Sequence, residues 1–190
     1  MMKIMEAAEK YTYAEYAAFG EANPNERYEL IDGVIYLMSA APSRAHQTTS
    51  IRLATQLSNF LKGKSCDVFH APFDVCLNAK GDKDKTTVQP DILVVCDKNK
   101  LDDKRCNGAP DFIIEILSLS NKKHDLITKY NAYLKAGVRE FWIIDPDEKI
   151  VFVYILENDK YICQTYDETS IISVHVLEGC TLDMNEVFEQ

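Results

Sequence analysis

The chain has 190 residues, of which 46% are hydrophobic, and a formal net charge of −9. This length suits one globular domain with a substantial core, because domains usually span about 100–200 residues. No apolar run approaches the ~20 residues that cross a bilayer, and the N-terminus lacks the apolar core of a signal peptide. We therefore expect a cytoplasmic protein with no membrane segment.

The negative charge is concentrated near the C-terminus. Residues 145–190 hold eleven acidic and two basic residues, whereas residues 1–144 hold nineteen of each. Residues 121–139 carry five basic side chains against one acidic side chain. The composition argues against a basic DNA-binding domain of the usual kind, and it predicts that a polyanion would bind weakly unless metal ions or a partner subunit help.

Six cysteines are present, and none forms a CxxC pair, which argues against a zinc ribbon. Cys76, Cys96 and Cys163 lie among strand-like residues and are expected to be small buried hydrophobic side chains. No disulfide framework is expected, because a cytosolic domain of this size does not need one.

The first 80 residues contain clear signals for helices and turns. Thr12 and Glu15 form a capping-box pattern, which predicts the start of a short helix. Asp32-Gly33 between two apolar runs predicts a β-hairpin. Ser43 is the expected N-cap of a long amphipathic helix. The predicted elements are a helix at 12–19, strands at 27–31 and 34–38, a helix at 43–62, and strands at 66–70 and 73–78.

The rest of the chain predicts buried strands separated by one helix. The runs 91–96 and 112–117 are apolar with little alternation, as expected of strands covered on both faces. Gly137 is expected to end the following helix. The other predicted elements are a helix at 122–136, strands at 140–145, 151–156, 160–165 and 171–176, and a short helix at 185–189. The sum predicts an α/β fold with a central mixed β-sheet flanked by helices.

Glu115 lies inside an apolar strand, on the same face as Ile113 and Leu117. A carboxylate on a covered face costs several kcal/mol unless it is paired or bound to a cation. Two interpretations follow from this position. Glu115 forms a salt bridge to a lysine or arginine of a helix, or it binds a metal ion.

Asp91 and Lys129 are the other two candidate residues. Asp91 follows Gln89-Pro90 and opens an apolar strand, where an ordinary strand-edge aspartate is the alternative. Lys129 lies at the margin of an apolar helix stripe, from which it either extends to solvent or reaches over the sheet end toward Glu115. Two carboxylates suit Mg²⁺, and a lysine suits the charge that builds on a phosphate, so the set predicts phosphodiester hydrolysis.

Several motifs occur together in a fixed order. They are 28–33 (YELIDG), 89–92 (QPDI), 110–118 (PDFIIEILS), Asp125 with Lys129 and Tyr133, 136–138 (AGV), 140–142 (EFW) and 145–146 (DP). The ordered set resembles the Uma-type restriction endonucleases, a branch of the PD-(D/E)XK nuclease superfamily. The resemblance implies a restriction-endonuclease-like fold in a single domain, 1–190, with a core at about 11–156 and an acidic C-terminal strand extension at 157–190.

The resemblance also implies site residues. It makes Asp91 and Glu115 the metal ligands, with Mg²⁺ as the expected ion and Mn²⁺ as the alternative. The superfamily lysine would stand two residues after the glutamate, where this chain has Leu117. The resemblance therefore points to Lys129 on the following helix, with Lys122 or Lys123 as alternatives.

Three auxiliary residues complete the expected site. Glu29 matches an early glutamate that binds metal or orients the lysine, and its alternative is a surface charge on the hairpin. His46 is either an active-site flank or an exposed residue at a helix end. Asp125 lies one helical turn before Lys129.

The expected function is metal-dependent cleavage of DNA by a homodimer. A homodimer is expected because two related sites can cut both strands of a duplex. The alternative function is a catalytically inert protein of nuclease fold that binds nucleic acid or a protein partner. A third interpretation is a structural dimer subunit whose acidic residues form only salt bridges.

Overall fold

The computed structural model of the protein describes residues 10–38, 42–118 and 124–189, without the side chains of residues 124–126. The helices are α1 Tyr13–Ala22, α2 Arg44–Leu61, α3 Tyr130–Ala136 and α4 Met184–Phe188. The strands are β1 Tyr28–Ile31, β2 Val34–Leu37, β3 Asp67–His70, β4 Asp74–Cys76, β5 Thr87–Val88, β6 Ile92–Val95, β7 Arg105–Asn107, β8 Phe112–Ile116, β9 Glu140–Asp145, β10 Ile150–Glu157, β11 Lys160–Tyr166, β12 Ile171–Ser173 and β13 Thr181–Asp183.

The largest sheet has six strands in the order β11-β10-β9-β8-β6-β3. The β8–β9 pair is parallel and the other neighbouring pairs are antiparallel, so the predicted α/β class with a mixed sheet is confirmed. A second sheet has the order β2-β1-β5-β4-β7. It forms because the predicted hairpin pairs through β1 with the short strand β5, which the sequence pattern did not predict.

The six-stranded sheet is covered on both faces, which explains the continuous apolar runs in its central strands. On one face, Phe112, Ile114 and Ile116 of β8 pack with α2 and with C-terminal residues. On the opposite face, Ile113 and Leu117 pack with α3 and with the second sheet. The side chains of β8 therefore alternate between the two faces of the sheet, and Ile113 and Leu117 share one face as predicted.

The predicted start signals of α1 and α2 are confirmed. The carboxylate of Glu15 accepts hydrogen bonds from the backbone N–H and the hydroxyl of Thr12, at 2.8 and 2.7 Å. Ser43 Oγ accepts a hydrogen bond from the backbone N–H of His46 at 3.2 Å, which caps α2. The predicted end of α1 near Phe19 was wrong by three residues, because the helix continues to the Asn23-Pro24 break.

The predicted helix at 122–136 has two parts in the described residues. Residues 124–129 form a π-helical segment, and α3 follows it directly. Gly137 ends α3 in a left-handed conformation with φ 75°. A π-helical turn shifts the side chains that follow it relative to an α-helix, and such turns often occur at functional sites.

The expectation that the chain contains no disulfide was wrong. Cys66 and Cys96 form a disulfide between the ends of β3 and β6. The antiparallel register pairs Asp67 with Val95, and this pairing places the two cysteines opposite each other. The prediction that Cys163 is buried was also wrong, because it lies exposed on β11 at the edge of the sheet.

The C-terminal residues are part of the core. β12 pairs with β13, and α4 follows. Leu182, Met184 and Val187 pack in the same apolar cluster as Leu53 and Leu57 of α2. Within the described ranges, no helix has the length and apolarity needed to cross a membrane.

Candidate active site

The candidate residues meet where β8 ends and β6 begins. The two strands are antiparallel, with Ile92 opposite Ile114, so the residue before β6 lies beside the end of β8. Asp91 occupies that place, and its Oδ2 accepts a hydrogen bond from the backbone N–H of Ile116 at 2.8 Å. The strand register therefore places Asp91 beside the end of the strand that carries Glu115.

Glu115 and Lys129 form a buried ion pair. The ammonium of Lys129 lies 3.1 Å from Oε1 and 3.2 Å from Oε2 of Glu115. A second carboxylate oxygen, Oε1 of Glu29, lies 2.9 Å from the same ammonium. The three side chains are only 2–4% exposed, so water screens their interaction weakly.

The buried position of Lys129 decides between its two predicted interpretations. The side chain reaches over the end of the sheet to Glu115 and does not extend to solvent. Glu29 is equally buried, so the interpretation of Glu29 as a surface charge on the hairpin was wrong. Strand β1 of the hairpin pairs with β5 in the second sheet, and Glu29 on β1 is buried.

Tyr133 also contacts Glu115, although it was not among the predicted site residues. Its hydroxyl donates a hydrogen bond to Oε1 of Glu115, and the side chain is fully buried. The sequence gives one signal, because Tyr133 lies one helical turn after Lys129. The signal was ambiguous because Tyr133 also belongs to the apolar stripe of the helix, where a tyrosine is expected to pack in the core.

Gln89 connects Glu29 to the half-buried carboxylate of Asp74. The backbone N–H of Gln89 donates to Oε1 of Glu29 at 2.8 Å, and its side-chain amide donates to Oδ1 of Asp74, also at 2.8 Å. Burial raises the pKa of Asp74, and the hydrogen bond from Gln89 acts in the opposite direction. The segment that precedes Asp91 thus also fixes the position of Glu29.

His46 lies against Asp91. Its Nε2 is 3.2 Å from Oδ2 of Asp91, and the two side chains are 11% and 21% exposed. The interpretation of His46 as an exposed helix-end residue was wrong, because the first turn of α2 packs over the end of the sheet. Asp125, Lys122 and Lys123 lie outside the residues or side chains that the structure describes.

The carboxylates of Asp91 and Glu115 carry the type of oxygen donor that a hard cation binds. Oδ2 of Asp91 accepts two contacts, while Oδ1 receives no hydrogen bond from the described residues. Within the described parts of the chain, no three His, Cys, Asp or Glu side chains are grouped to hold a metal ion. Mg²⁺ commonly binds through one or two carboxylates and keeps several water molecules, so Asp91 and Glu115 are a donor set of the right type.

Comparison with known proteins gives consistent results. The model of the Uma2 family, described as "Putative restriction endonuclease", matches residues 12–185. An uncharacterized protein of Synechocystis sp. is 29% identical over 139 residues, which cover 73% of this chain and 70% of that protein.

A solved structure has the same fold. The crystal structure of a putative nuclease belonging to DUF820 from Anabaena variabilis superposes with a TM-score of 0.72 at 23% identity. The alignment covers 93% of this chain and 97% of that chain. The predicted resemblance is confirmed by the family match, which spans most of the chain. The protein therefore belongs to the Uma2 family of putative restriction endonucleases.

Proposed function

We propose that the protein is a metal-dependent endonuclease that hydrolyses DNA phosphodiester bonds. One juxtaposition carries the proposal. Asp91 accepts a hydrogen bond from the residue that follows Glu115, and the carboxylate of Glu115 lies 3.1 Å from the ammonium of Lys129. Two acids at the ends of neighbouring strands and a lysine on the following helical segment are residue types that suit metal-assisted phosphodiester hydrolysis.

The proposed metal ligands are Asp91 and Glu115, with Mg²⁺ as the ion and Mn²⁺ as the alternative. When bound, the ion supplies a Lewis acid that polarises a phosphoryl oxygen and lowers the pKa of a bound water molecule. The side chain of Asp91 is 21% exposed and that of Glu115 is 3% exposed, so Asp91 is the more accessible of the two proposed ligands.

The other residues of the site stabilise the charge of the phosphate or position the catalytic side chains. Lys129 presents an ammonium that stabilises negative charge on the phosphate, and burial makes its field stronger than in water. Glu29 keeps that ammonium beside Glu115. His46 contacts Oδ2 of Asp91 and so restricts the rotation of the carboxylate. In this proposal Glu29 and His46 are positioning residues.

A catalytically inert protein that binds nucleic acid or a protein partner is the second candidate. One observation favours it: Glu29, Lys129 and Glu115 form a closed and almost fully buried ion-pair cluster. Such a cluster can fix the fold without taking part in a reaction. In that case the lysine would stay between the carboxylates when Mg²⁺ is added.

Cleavage of supercoiled plasmid and of short duplexes with Mg²⁺ or Mn²⁺ tests the proposal. We expect metal-dependent nicking by the wild-type protein and its loss in Asp91→Asn and Glu115→Gln. Asp103→Asn and Glu157→Gln, which change exposed acids, serve as matched controls. Cleavage that persists in both site variants would reject the assignment of Asp91 and Glu115.

Calorimetric titration with Mg²⁺ separates the two candidates. The endonuclease proposal predicts binding at millimolar Mg²⁺ that is lost in Asp91→Asn. An absence of binding, together with retention of DNA in a gel-shift assay, would favour the inert protein.

We also propose that the active form is a homodimer, because two related sites can cut both strands of a duplex. Sedimentation equilibrium with and without DNA tests this. A monomer in both conditions would reject it.

A further inference from the structure

A cavity lies at the opposite end of β8 from the candidate active site. Its volume is about 600 Å³, within the range of small-molecule sites. Asp111, at its wall, precedes β8 and stands four residues before Glu115, so about 13 Å of strand separates the two positions. The cavity is therefore distinct from the site proposed for phosphodiester cleavage.

The charge of this cavity is opposite to that of the protein. Four basic residues line it, namely Lys80, Lys100, Lys135 and Arg139, against one acid, Asp111. The whole chain has a net charge of −9. Arg139 is paired with Asp111, so the three lysines supply the excess positive charge.

The lysines come from three different parts of the fold. Lys80 is exposed and forms no ion pair with any described residue. Lys100 donates one hydrogen bond to the carbonyl of Ala109 at 2.8 Å, which leaves two of its three N–H groups for a ligand. Lys135 pairs with Asp32 at 3.0 Å, but both side chains are more than 60% exposed, so this pair is weak and exchangeable.

The wall that carries Lys80 is held in a fixed conformation. Asp84 is fully buried, and its carboxylate accepts hydrogen bonds from the backbone N–H groups of Asn78, Lys80 and Thr86 and from the Asn78 amide. Ala79, which lies between Asn78 and Lys80, has φ 55°, a left-handed conformation that is unfavourable for residues other than glycine. Strained backbone that is fixed by its surroundings is frequent at ligand sites.

The side chain of Lys100 lies over Gly108, next to the wall that carries Lys80. A Cβ atom at Gly108 would lie 3.7 Å from Cδ of Lys100 and 3.6 Å from the Cβ of Ala79, so the lysine stem packs closely over the glycine. The carbonyls at the end of α3, Tyr133 O and Leu134 O, accept hydrogen bonds from Val138 and Gly137. The negative end of the helix is therefore capped where it faces the cavity.

We propose that this cavity binds a phosphorylated anion through Lys80, Lys100 and Lys135. Ammonium groups from three elements that converge on one small cavity suit the several oxygens of a di- or triphosphate. The same chemistry is presented by a free polyphosphate compound and by the backbone of a nucleic acid. The site is separate from the metal ligands and does not depend on endonuclease activity.

Calorimetric titration of the full chain with pyrophosphate, in EDTA so that divalent metal cannot contribute, tests the proposal. We expect binding by the wild-type protein, and we expect the triple variant Lys80→Gln/Lys100→Gln/Lys135→Gln to bind about tenfold more weakly or worse. Asp91→Asn should bind pyrophosphate as the wild type does. Circular dichroism and the melting temperature verify that the triple variant is folded.

A control variant removes the same charge elsewhere. Lys62→Gln/Lys64→Gln/Lys160→Gln changes three exposed lysines outside the cavity and should bind as the wild type does. Equal weakening in both triple variants would overturn the proposal, because it would show a general charge effect. No binding at millimolar pyrophosphate would also overturn it.

Competition identifies the source of the phosphate. If a short DNA duplex displaces pyrophosphate from the wild-type protein and ATP does not, the site receives a nucleic-acid backbone. If ATP displaces pyrophosphate and the duplex does not, the site receives a free polyphosphate.

Discussion

The ammonium of Lys129 lies 3.1 Å from Oε1 of Glu115, with both side chains almost fully buried. The two residues belong to different elements, a strand of the central sheet and the helical segment that follows it. Removing one partner of a buried ion pair leaves a charge without compensation in a medium that solvates it poorly. This relationship makes the cluster testable without any assay of activity.

Lys129→Met should lower the free energy of unfolding by about 3–5 kcal/mol, because it leaves buried carboxylates without their ammonium. Urea unfolding followed by circular dichroism measures the change. Lys135→Met is the matched control, since Lys135 pairs with Asp32 at the surface and should cost no more than about 1 kcal/mol. Equal losses of unfolding free energy in Lys129→Met and Lys135→Met would show that burial does not strengthen the Lys129 ion pair.

Tyr133→Phe should destabilise the protein by about 1–3 kcal/mol, because Glu115 loses a buried hydrogen-bond donor. Tyr166→Phe removes a hydroxyl whose hydrogen bond is exposed, so its effect should be smaller. If the Tyr133 hydroxyl positions Glu115 for metal binding, Mg²⁺ affinity should also fall in Tyr133→Phe. Unchanged stability and unchanged affinity would remove Tyr133 from the site.

Asp91→Asn should separate folding from metal binding. The asparagine oxygen can still accept the hydrogen bond from the backbone N–H of Ile116, so stability should change by no more than about 1 kcal/mol. The loss of the carboxylate charge should abolish the heat of Mg²⁺ binding. Mg²⁺ affinity equal to that of the wild type would show that Asp91 is not a ligand.

Glu140 should make stability depend on pH. Burial raises its pKa above the ordinary value of 4.5, although hydrogen bonds from Val176 and Trp142 oppose the shift. The native state therefore holds the proton more tightly than the unfolded state. This contribution to stability is complete below pH 4.5 and is lost as pH rises through the raised pKa.

The comparison with Glu140→Gln isolates this effect. The melting temperature of the wild type relative to that of Glu140→Gln should fall as pH rises from about 4 to 8. Glu157→Gln, which removes an exposed glutamate, controls for the loss of one carboxylate. A difference between the wild type and Glu140→Gln that stays constant or grows with pH would contradict the prediction.

The Cys66–Cys96 disulfide should stabilise the isolated protein. It closes a segment with a sequence separation of 30, for which loss of unfolded-state entropy gives about 3–4 kcal/mol. Urea unfolding with and without dithiothreitol measures this contribution, and Cys66→Ala/Cys96→Ala should reproduce the reduced state. Thiol titration of the unfolded, unreduced protein should find four free cysteines and not six.

Local signals in the sequence were reliable for elements that depend on neighbouring residues. The capping box at Thr12, the Asp-Gly turn and the glycine after α3 each act within a few residues, so their outcome is set by backbone geometry and short hydrogen bonds. The second sheet was not predicted, because β5 has only two residues and exists through its pairing with β1 and β4.

The sequence by itself determined that Glu115 lies on a covered face and needs a cation, because alternation along a strand and the cost of burying a charge require no knowledge of other elements. Only the tertiary structure decided which groups surround Glu115. Glu29 and Tyr133 reach the Glu115–Lys129 pair through strand register and helix packing, which join residues far apart in the chain. The same kind of register brings Cys66 and Cys96 together. Such contacts depend on how strands and helices that are distant in the sequence pack against one another, and no short sequence pattern encodes that packing.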